Sequence, residues 1–225
     1  MAGSINCIGI IPDGNRRWAK AKGLPKLEGH RAGVETIKEV IQAASELEIK
    51  HIAVWIFSTE NWARESEEVS YLMNLFLEVA RTHARELAEE DVRIRFVGQE
   101  ERFSPELRVA IDDIEKESAD KKKITLWLCL SYGGRAEIVR SVEKVLSAGE
   151  KISEETIAKY LWTAEMPEPD IIIRTSGEKR LSGFLTWCGI YSELFFSDTL
   201  WPEFRKEELE KIIAEYRTRE RRMGR

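Results

Sequence analysis

The 225-residue chain carries 40 acidic and 35 basic side chains for a formal net charge of −5, with 43% hydrophobic and 33% charged residues. That is enough apolar material for the core of one sizeable domain and hardly two, and an acidic balance excludes a surface that tracks a phosphate backbone, so nucleic acid is not expected as a partner. Three scattered cysteines, Cys7, Cys129 and Cys188, offer neither a disulfide framework nor a zinc ribbon and suit a reducing, cytoplasmic setting. No apolar run approaches the roughly 20 residues of a membrane span, and the start of the chain lacks a basic segment followed by an apolar core.

Short runs rich in Ile and Val alternate with segments of helical period. Strands are expected at residues 7–11, 51–57, 92–97, 124–130 and 171–173, apolar on both faces as in a sheet covered from two sides. After the first of these, Val34, Ile37, Val40, Ile41, Ala44 and Leu47 recur at helical spacing. After the second, Val69, Leu72, Met73, Phe76, Ala80, His83 and Leu87 read as one further helix, with His83 on its packed stripe. Helices are also expected at 105–119, 135–148, 154–161 and 207–216. The alternation predicts a single α/β domain spanning 1–225, with an open, mainly parallel sheet flanked by helices. There is no repeat, low-complexity tract or linker to mark a second domain.

Three loops that follow strands have unusual composition. The first, Pro12-Asp13-Gly14-Asn15-Arg16-Arg17-Trp18, puts a carboxylate, a flexible turn and two guanidinium groups at the carboxyl edge of the sheet, where open α/β folds bind ligands. Backbone amides at a helix start attract anions, Arg contacts phosphate with two parallel N–H groups, and Asp can hold Mg²⁺ against the same phosphates. Asp13-Gly14 alone would read as a turn beside surface arginines; the whole stretch reads as a Mg-diphosphate site. The second loop, Phe57-Ser58-Thr59-Glu60-Asn61-Trp62-Ala63-Arg64, mixes aromatic, amide, hydroxyl and cationic groups and suits a site apolar on one side and anionic on the other. The third, Arg174 to Ser182, is a second cluster of Arg, hydroxyls and Gly able to grip another phosphate, or else a solvated charged loop.

Other chemistries are excluded by what is missing. There is no G-x-x-x-x-G-K-[ST] loop and no G-x-G-x-x-G after a strand, Ser131-Tyr132-Gly133-Gly134-Arg135 lacks the spacing of a nucleophile elbow, and His30, His51 and His83 lack metal-ligand spacing. Most of the seven tryptophans fall in strands or apolar stripes, where packing is their default role.

Taken together, the sequence resembles the cis-prenyltransferases from Ile8 to Gly224. The stretches that carry the likeness are Ile11 to Ala19, Gly29-His30-Arg31-Ala32-Gly33, Phe57 to Trp62, Ser131 to Arg135, Arg174 to Glu178, and Tyr191-Ser192-Glu193 leading into Leu200-Trp201-Pro202. The resemblance implies addition of isopentenyl diphosphate to an allylic prenyl diphosphate, with release of diphosphate, to make a cis-polyprenyl diphosphate of the kind that becomes a lipid carrier. It implies Mg²⁺ on Asp13 with Glu193 assisting. Gly14, Asn15, Arg16, Arg17, His30 and Arg64 would cradle the allylic diphosphate, with Trp18 in the same stretch. Arg174, Arg180 and Ser182 would hold isopentenyl diphosphate. Asn61 and Ser58 would manage proton removal, with Phe57 and Trp62 bordering the reacting chains.

The family also implies a homodimer, and a hydrophobic tunnel between helices and sheet whose candidate walls are the stripe from Leu72 to Leu87 and the helix from Leu107 to Ile114. A lipid product leaves room for peripheral membrane contact at release. The basic tail 217–225 either complements a helix dipole or, through Arg222 and Gly224 of an Arg-x-Gly ending, reaches the partner subunit's isopentenyl diphosphate site. Departures from the family pattern include Asn6-Cys7 at the first strand and Pro12, neither of which touches the phosphate ligands, and Glu65, Gly183 and Cys188-Gly189, which bear on loop stiffness and local packing more than on the chemistry. More telling is Ile56, where a small Ala is common: its branched side chain predicts a narrowed tunnel and a shorter product, with Trp127 as a second source of bulk if it faces the same way. The alternatives are a short-chain cis-prenyl diphosphate synthase, a non-catalytic partner subunit, and a Mg-dependent phosphohydrolase using Asp13. The last would need a second carboxylate and a base nearby.

Overall fold

The computed structural model describes residues 4–219. In chain order the elements are β1 Cys7–Ile11, α1 Asn15–Ala21, α2 Lys26–Glu46, β2 His51–Ser58, a 3-10 turn Thr59–Ala63, α3 Ser66–Arg81, α4 His83–Glu89, β3 Val92–Val97, α5 Pro105–Glu117, β4 Ile124–Tyr132, α6 Gly134–Ser147, α7 Glu154–Tyr160, β5 Ile171–Arg174, β6 Glu193–Phe196, a second 3-10 turn Trp201–Glu203, and α8 Lys206–Thr218. The strands form one six-stranded sheet in the order β3-β4-β2-β1-β5-β6, and every neighbouring pair is parallel. With all strands running one way, the loops after β1, β2 and β5 emerge at a single edge. Because the chain leaves β1 toward β2 on one side and returns with β5 on the other, β1 and β5 flank the switch point where such sheets bind ligands.

Alternation along the strands divides the core. Ile8, Ile10, Ile52, Val54, Leu126, Leu128, Ile171 and Ile173 pack toward Val40, Ala44, Leu209 and Ile212 of α2 and α8. Ala53, Trp127, Cys129 and Ile172 pack the other way, with Phe184 and Leu185. Trp127 therefore does not add bulk beside Ile56, because the two lie on opposite faces. A third cluster joins Phe57, Leu72, Leu107, Ile111 and Leu130. Registers Trp55↔Cys129 and Phe57↔Leu130 skip a residue, so Ile56 is the extra residue of a β-bulge. A bulge turns the residue after it, which brings both Ile56 and Phe57 against the helix layer that contains α3.

Several expectations from periodicity are corrected. The helix read through residues 69–87 breaks at Thr82, whose φ of −121° and ψ of −79° leave helical geometry and whose Oγ1 donates to the Glu78 carbonyl at 2.8 Å, the local competition for backbone acceptors that weakens helices at Thr. His83 then opens α4, partly exposed, 3.1 Å from Glu86 and 3.8 Å from Glu35, rather than packed on a stripe. Helix α2 begins at Lys26, well before the first apolar repeat, because Gly29 hides helical character while it permits contact: a Cβ there would lie 2.0 Å from the Asn15 carbonyl oxygen of α1. Strand β6 had no signal in the sequence; it is a four-residue edge strand with one buried side chain, Phe195.

Candidate active site

At the end of β1 the chain turns through Pro12, Asp13 and Gly14. The Asp13 carbonyl accepts from the Trp201 amide (3.0 Å) and the Thr175 hydroxyl (2.7 Å), so residues distant in sequence fix the loop from two sides. Gly14 sits at φ 109°, and a Cβ there would meet Leu200 at 2.9 Å, so both backbone conformation and space call for glycine. Arg174, the last residue of β5, lies beside Ile11 in register and is 7% exposed at its side chain. It donates to Asp13 Oδ2 (2.8 Å), Ser182 Oγ (2.9 Å) and the Arg180 carbonyl (2.7 Å), while its Nε has no hydrogen-bond partner among the described residues. Arg17 lies 3.6 Å from Asp13 Oδ1 and from Glu178 Oε1, and it donates to the carbonyl and hydroxyl of Ser176. An ion pair between Asp13 and Arg174 thus spans the switch point.

A second set of cations gathers on the other side of the mouth. Glu68, in the first turn of α3, is 2% exposed and lies 3.1 Å from Arg64, 3.3 Å from Lys26, 3.7 Å from His30 Nε2 and 4.0 Å from Arg16. Burial alone would raise its pKa, but Arg16, Lys26 and Arg64 outweigh that and hold the carboxyl below its ordinary value. His30 is pushed down to about 4 by burial and by the charges of Arg64 and Arg16, so its ring is neutral near pH 7, and its buried Nε2 has no hydrogen-bond partner. Ser58 is buried at the end of β2, and the Asn61 side-chain oxygen accepts its backbone N–H at 3.1 Å.

Both sets open into one cavity of about 690 Å³. Its mouth is lined by Asp13, Gly14, Asn15, Arg16, Arg17, His30, Ser58, Asn61, Arg64, Arg174 and Ser182, and its interior by Val34 and Ile37 of α2, Ile56 of β2, and Leu72, Leu75 and Phe76 of α3. Carrying apolar chain into such a space is favourable by about 0.8 kcal/mol per buried CH₂.

Most residues singled out in the sequence therefore meet here, but not all. Phe57 is buried behind the wall, and Trp62 stacks edge-on against it while its indole N–H donates to Ser131 Oγ (2.8 Å), so this pair supports the loop rather than lining the cavity. Trp18 donates to Glu203, and Arg180 is exposed and paired with Glu178 beside the mouth. Glu193 begins β6 level with Ile171, three register steps below Arg174 or about 10 Å, where Arg219 binds it at 2.7 Å; within one chain it does not reach Asp13. Leu107 and Ile111 of α5 belong to the core and do not line this cavity. Arg217 and Thr218 belong to α8, whereas Arg222 and Gly224 lie outside the described residues. Two contributions went unread in the sequence: the apolar wall from α2, visible in its Val34 and Ile37 but taken as plain core, and Glu68, one Glu among many in an acidic chain.

A carboxylate paired with one buried guanidinium, with more accessible ones beside it, at a sheet switch point over an apolar cavity makes the site of an enzyme that handles the diphosphate of an apolar chain. The comparisons with known proteins narrow this. A family model described as "Putative undecaprenyl diphosphate synthase" matches residues 11–224. Over 97% of its length the chain is 46% identical to an isoprenyl transferase of Thermus thermophilus, covering 88% of that protein, and 41% identical to one of Neisseria meningitidis, covering 88%. Lavandulyl diphosphate synthase from Lavandula x intermedia, solved in complex with dimethylallyl diphosphate, matches with a TM-score of 0.93 at 34% identity over 99% of both chains. A structure described as "a probable undecaprenyl diphosphate synthase" from Campylobacter jejuni matches with a TM-score of 0.85 at 29% identity, over 99% of this chain and 100% of that one. The chain belongs to the undecaprenyl diphosphate synthase family of cis-prenyltransferases and is an isoprenyl transferase.

Proposed function

We propose that the enzyme joins isopentenyl diphosphate to an allylic prenyl diphosphate at the mouth of the cavity and feeds the growing cis-polyprenyl chain into the apolar interior. The observation that carries this reading is the Asp13–Arg174 pair at the switch point, opening onto the cavity lined by Val34, Ile37, Ile56, Leu72, Leu75 and Phe76. When the allylic C–O bond breaks, its electron pair leaves with the diphosphate, and Arg16, Arg17 and Arg64 stabilise that charge as it develops. The double bond of isopentenyl diphosphate, held by Arg174 with Ser182 and Arg180, closes the new C–C bond and then loses a proton. Neither Asn61 nor Ser58 is a base of ordinary strength, and the Asn61 oxygen is already engaged. Their role is to position the reacting end, while the departing diphosphate takes the proton.

Mg²⁺ suits this site although the described residues hold no group of three or more His, Cys, Asp or Glu side chains arranged for a metal. Mg²⁺ is usually bound by one or two carboxylates with substrate phosphates and water, and Asp13, 31% exposed at its side chain, supplies such a carboxylate. The bound ion would neutralise diphosphate charge. Glu193 would contribute only through another chain or a rearrangement of its pair with Arg219. The reading includes a homodimer in which the 217–225 tail, through Arg222 and Gly224, reaches the partner subunit, a cytoplasmic setting, and product release at a membrane surface. No helix among the described residues is long and apolar enough to cross a membrane.

The test is to incubate the purified protein with Mg²⁺, farnesyl diphosphate and labelled isopentenyl diphosphate. Label in butanol-extractable prenyl chains is the expected result. Free phosphate alone would make the protein a phosphohydrolase, and no turnover a supporting subunit of another catalytic chain.

A further inference from the structure

Four side chains from three separate segments converge on Glu68: Arg16 from α1, Lys26 and His30 from α2, and Arg64 from the segment leading into α3. Lys26 is shared with Glu65 at 2.5 Å. Arg16, Lys26 and Arg64 thus face two carboxylates, with one positive charge in excess, and the His30 Nε2, 3.7 Å from Glu68, has no hydrogen-bond partner among the described residues. Like charges brought this close repel unless an anion is fixed between them. Glu68 is the group that all of them reach, and it does not itself line the cavity that Arg16, His30 and Arg64 line. A buried charge of this kind is costly without partners and effective when several surround it.

We propose that Glu68 is a positioning residue for the allylic diphosphate: from behind the cavity wall it holds the guanidinium groups of Arg16 and Arg64 and the neutral ring of His30 convergent on the mouth, so that the leaving diphosphate meets two cations and a ring nitrogen already in place. The proposal rests on the diphosphate reading of the site. Its energetic content is preorganisation, which affects the transition state more than ground-state binding. Removing the negative charge of Glu68 makes the mouth more positive, so an anionic substrate should bind no more weakly, while the misplaced guanidinium groups should stabilise the departing charge less well.

The test is a double-mutant cycle on the full chain with Glu68→Gln, Arg64→Ala and both together. For Glu68→Gln the expected result is a fall in kcat of about 10- to 100-fold, the scale of a roughly ångström misplacement, with the KM for the allylic substrate not raised and that for isopentenyl diphosphate unchanged. Rates are referred to sites counted by calorimetric titration with inorganic diphosphate, so that a loss of folded protein does not register. In the Arg64→Ala background the same substitution should change kcat by a clearly smaller factor than in wild type, the remainder acting through Arg16 and His30, because residues acting through one another are not additive. Glu68→Asp, which keeps the charge but shortens the reach, should fall between wild type and Glu68→Gln, and it replaces Glu68→Gln in the cycle if that variant does not fold. Additive effects, an unchanged kcat, or a loss confined to the KM for the allylic substrate would each overturn the proposal. If the wild type transfers no prenyl group, the diphosphate reading fails on its own, and the cycle is read on the Kd of inorganic diphosphate: a change for Glu68→Gln that is clearly smaller without Arg64 supports the role of Glu68, and additive changes refute it.

Discussion

Glu68 and Glu137 are both almost wholly buried, at 2% and 1% exposure, on opposite faces of the same sheet. Neutral donors surround Glu137: the Tyr132 hydroxyl donates at 2.5 Å, the Thr163 amide at 2.9 Å and the Thr163 hydroxyl at 2.8 Å. Burial pushes its pKa up, more than these hydrogen bonds pull it down. Cations surround Glu68, its pKa is held down, and beside it the His30 Nε2 lacks a partner, as the Arg174 Nε does across the mouth. One network is closed and the other is short of an anion. The contrast separates a polar cluster satisfied within the core from one that, on the proposed reading, is completed by a ligand.

The largest effect expected from breaking this contrast is at Asp13. Asp13→Ala removes the carboxylate that faces Arg174 and Arg17 and should lower kcat by about three orders of magnitude, with a melting temperature within a few degrees of wild type because the residue lies on a loop. Near-normal turnover at saturating Mg²⁺ would take Asp13 out of the mechanism. On the closed side the pattern should invert. Glu137→Ala strands the Tyr132 hydroxyl and both Thr163 donors and should cost about 3–5 kcal/mol, a fall of roughly 10 °C in melting temperature for a chain of this size. The rate per folded molecule should stay the same, and a specific loss of kcat without a thermal shift would mean that the two faces are coupled.

Within the cavity, Ile56→Ala should shift products toward longer chains. It trims a branched side chain at the bulge where wall and site meet, and overpacking there costs about 1–3 kcal/mol in a close-packed interior. Chromatography of products under excess isopentenyl diphosphate reads this; an unchanged distribution assigns the stop to α2 or α3. The smallest effect is in pH dependence. The His30 pKa lies near 4 in the folded chain against 6.5 for an unperturbed ring, so as pH falls below 6.5 the unfolded state takes up the proton first. Stability that is complete above that pH is lost toward 4, with a slope of at most about 1.4 kcal/mol per pH unit. The raised pKa of Glu137 acts with the opposite sign, since its contribution is present at low pH and lost as pH rises through the folded value. Denaturant titrations of His30→Gln should therefore show a flatter acid limb than wild type.

Much of the fold was legible because local pattern suffices for it. Five strands came from runs rich in Ile and Val, four of them apolar on both faces under two helical layers and β3 carrying Arg93 and Arg95, and the loops proposed to bind phosphate came from charge and glycine concentrated after them. Partners set by tertiary contact were not legible. The break at Thr82 hid inside an unbroken apolar period, and β6 carries too little buried surface to leave one. Glu193, read from its motif as assisting the metal, lies level with Ile171, about 10 Å along β5 from Arg174, and is paired with Arg219 within this chain, a placement no local pattern announces.

By itself the sequence determined the α/β class, the five central strands with most of their intervening helices, the family and the segments that carry Asp13, Arg64 and Arg174, since each of these follows from residue type and near-neighbour spacing. Only the tertiary structure decided which apolar residues face the cavity and which fill the core, and that Glu68 gathers cations from three segments while Glu137 gathers neutral donors. Periodicity says that a face is buried but not against what. The character of a buried charge depends on groups brought to it from dozens of residues away in the chain, and only the packed sheet and helices bring them there.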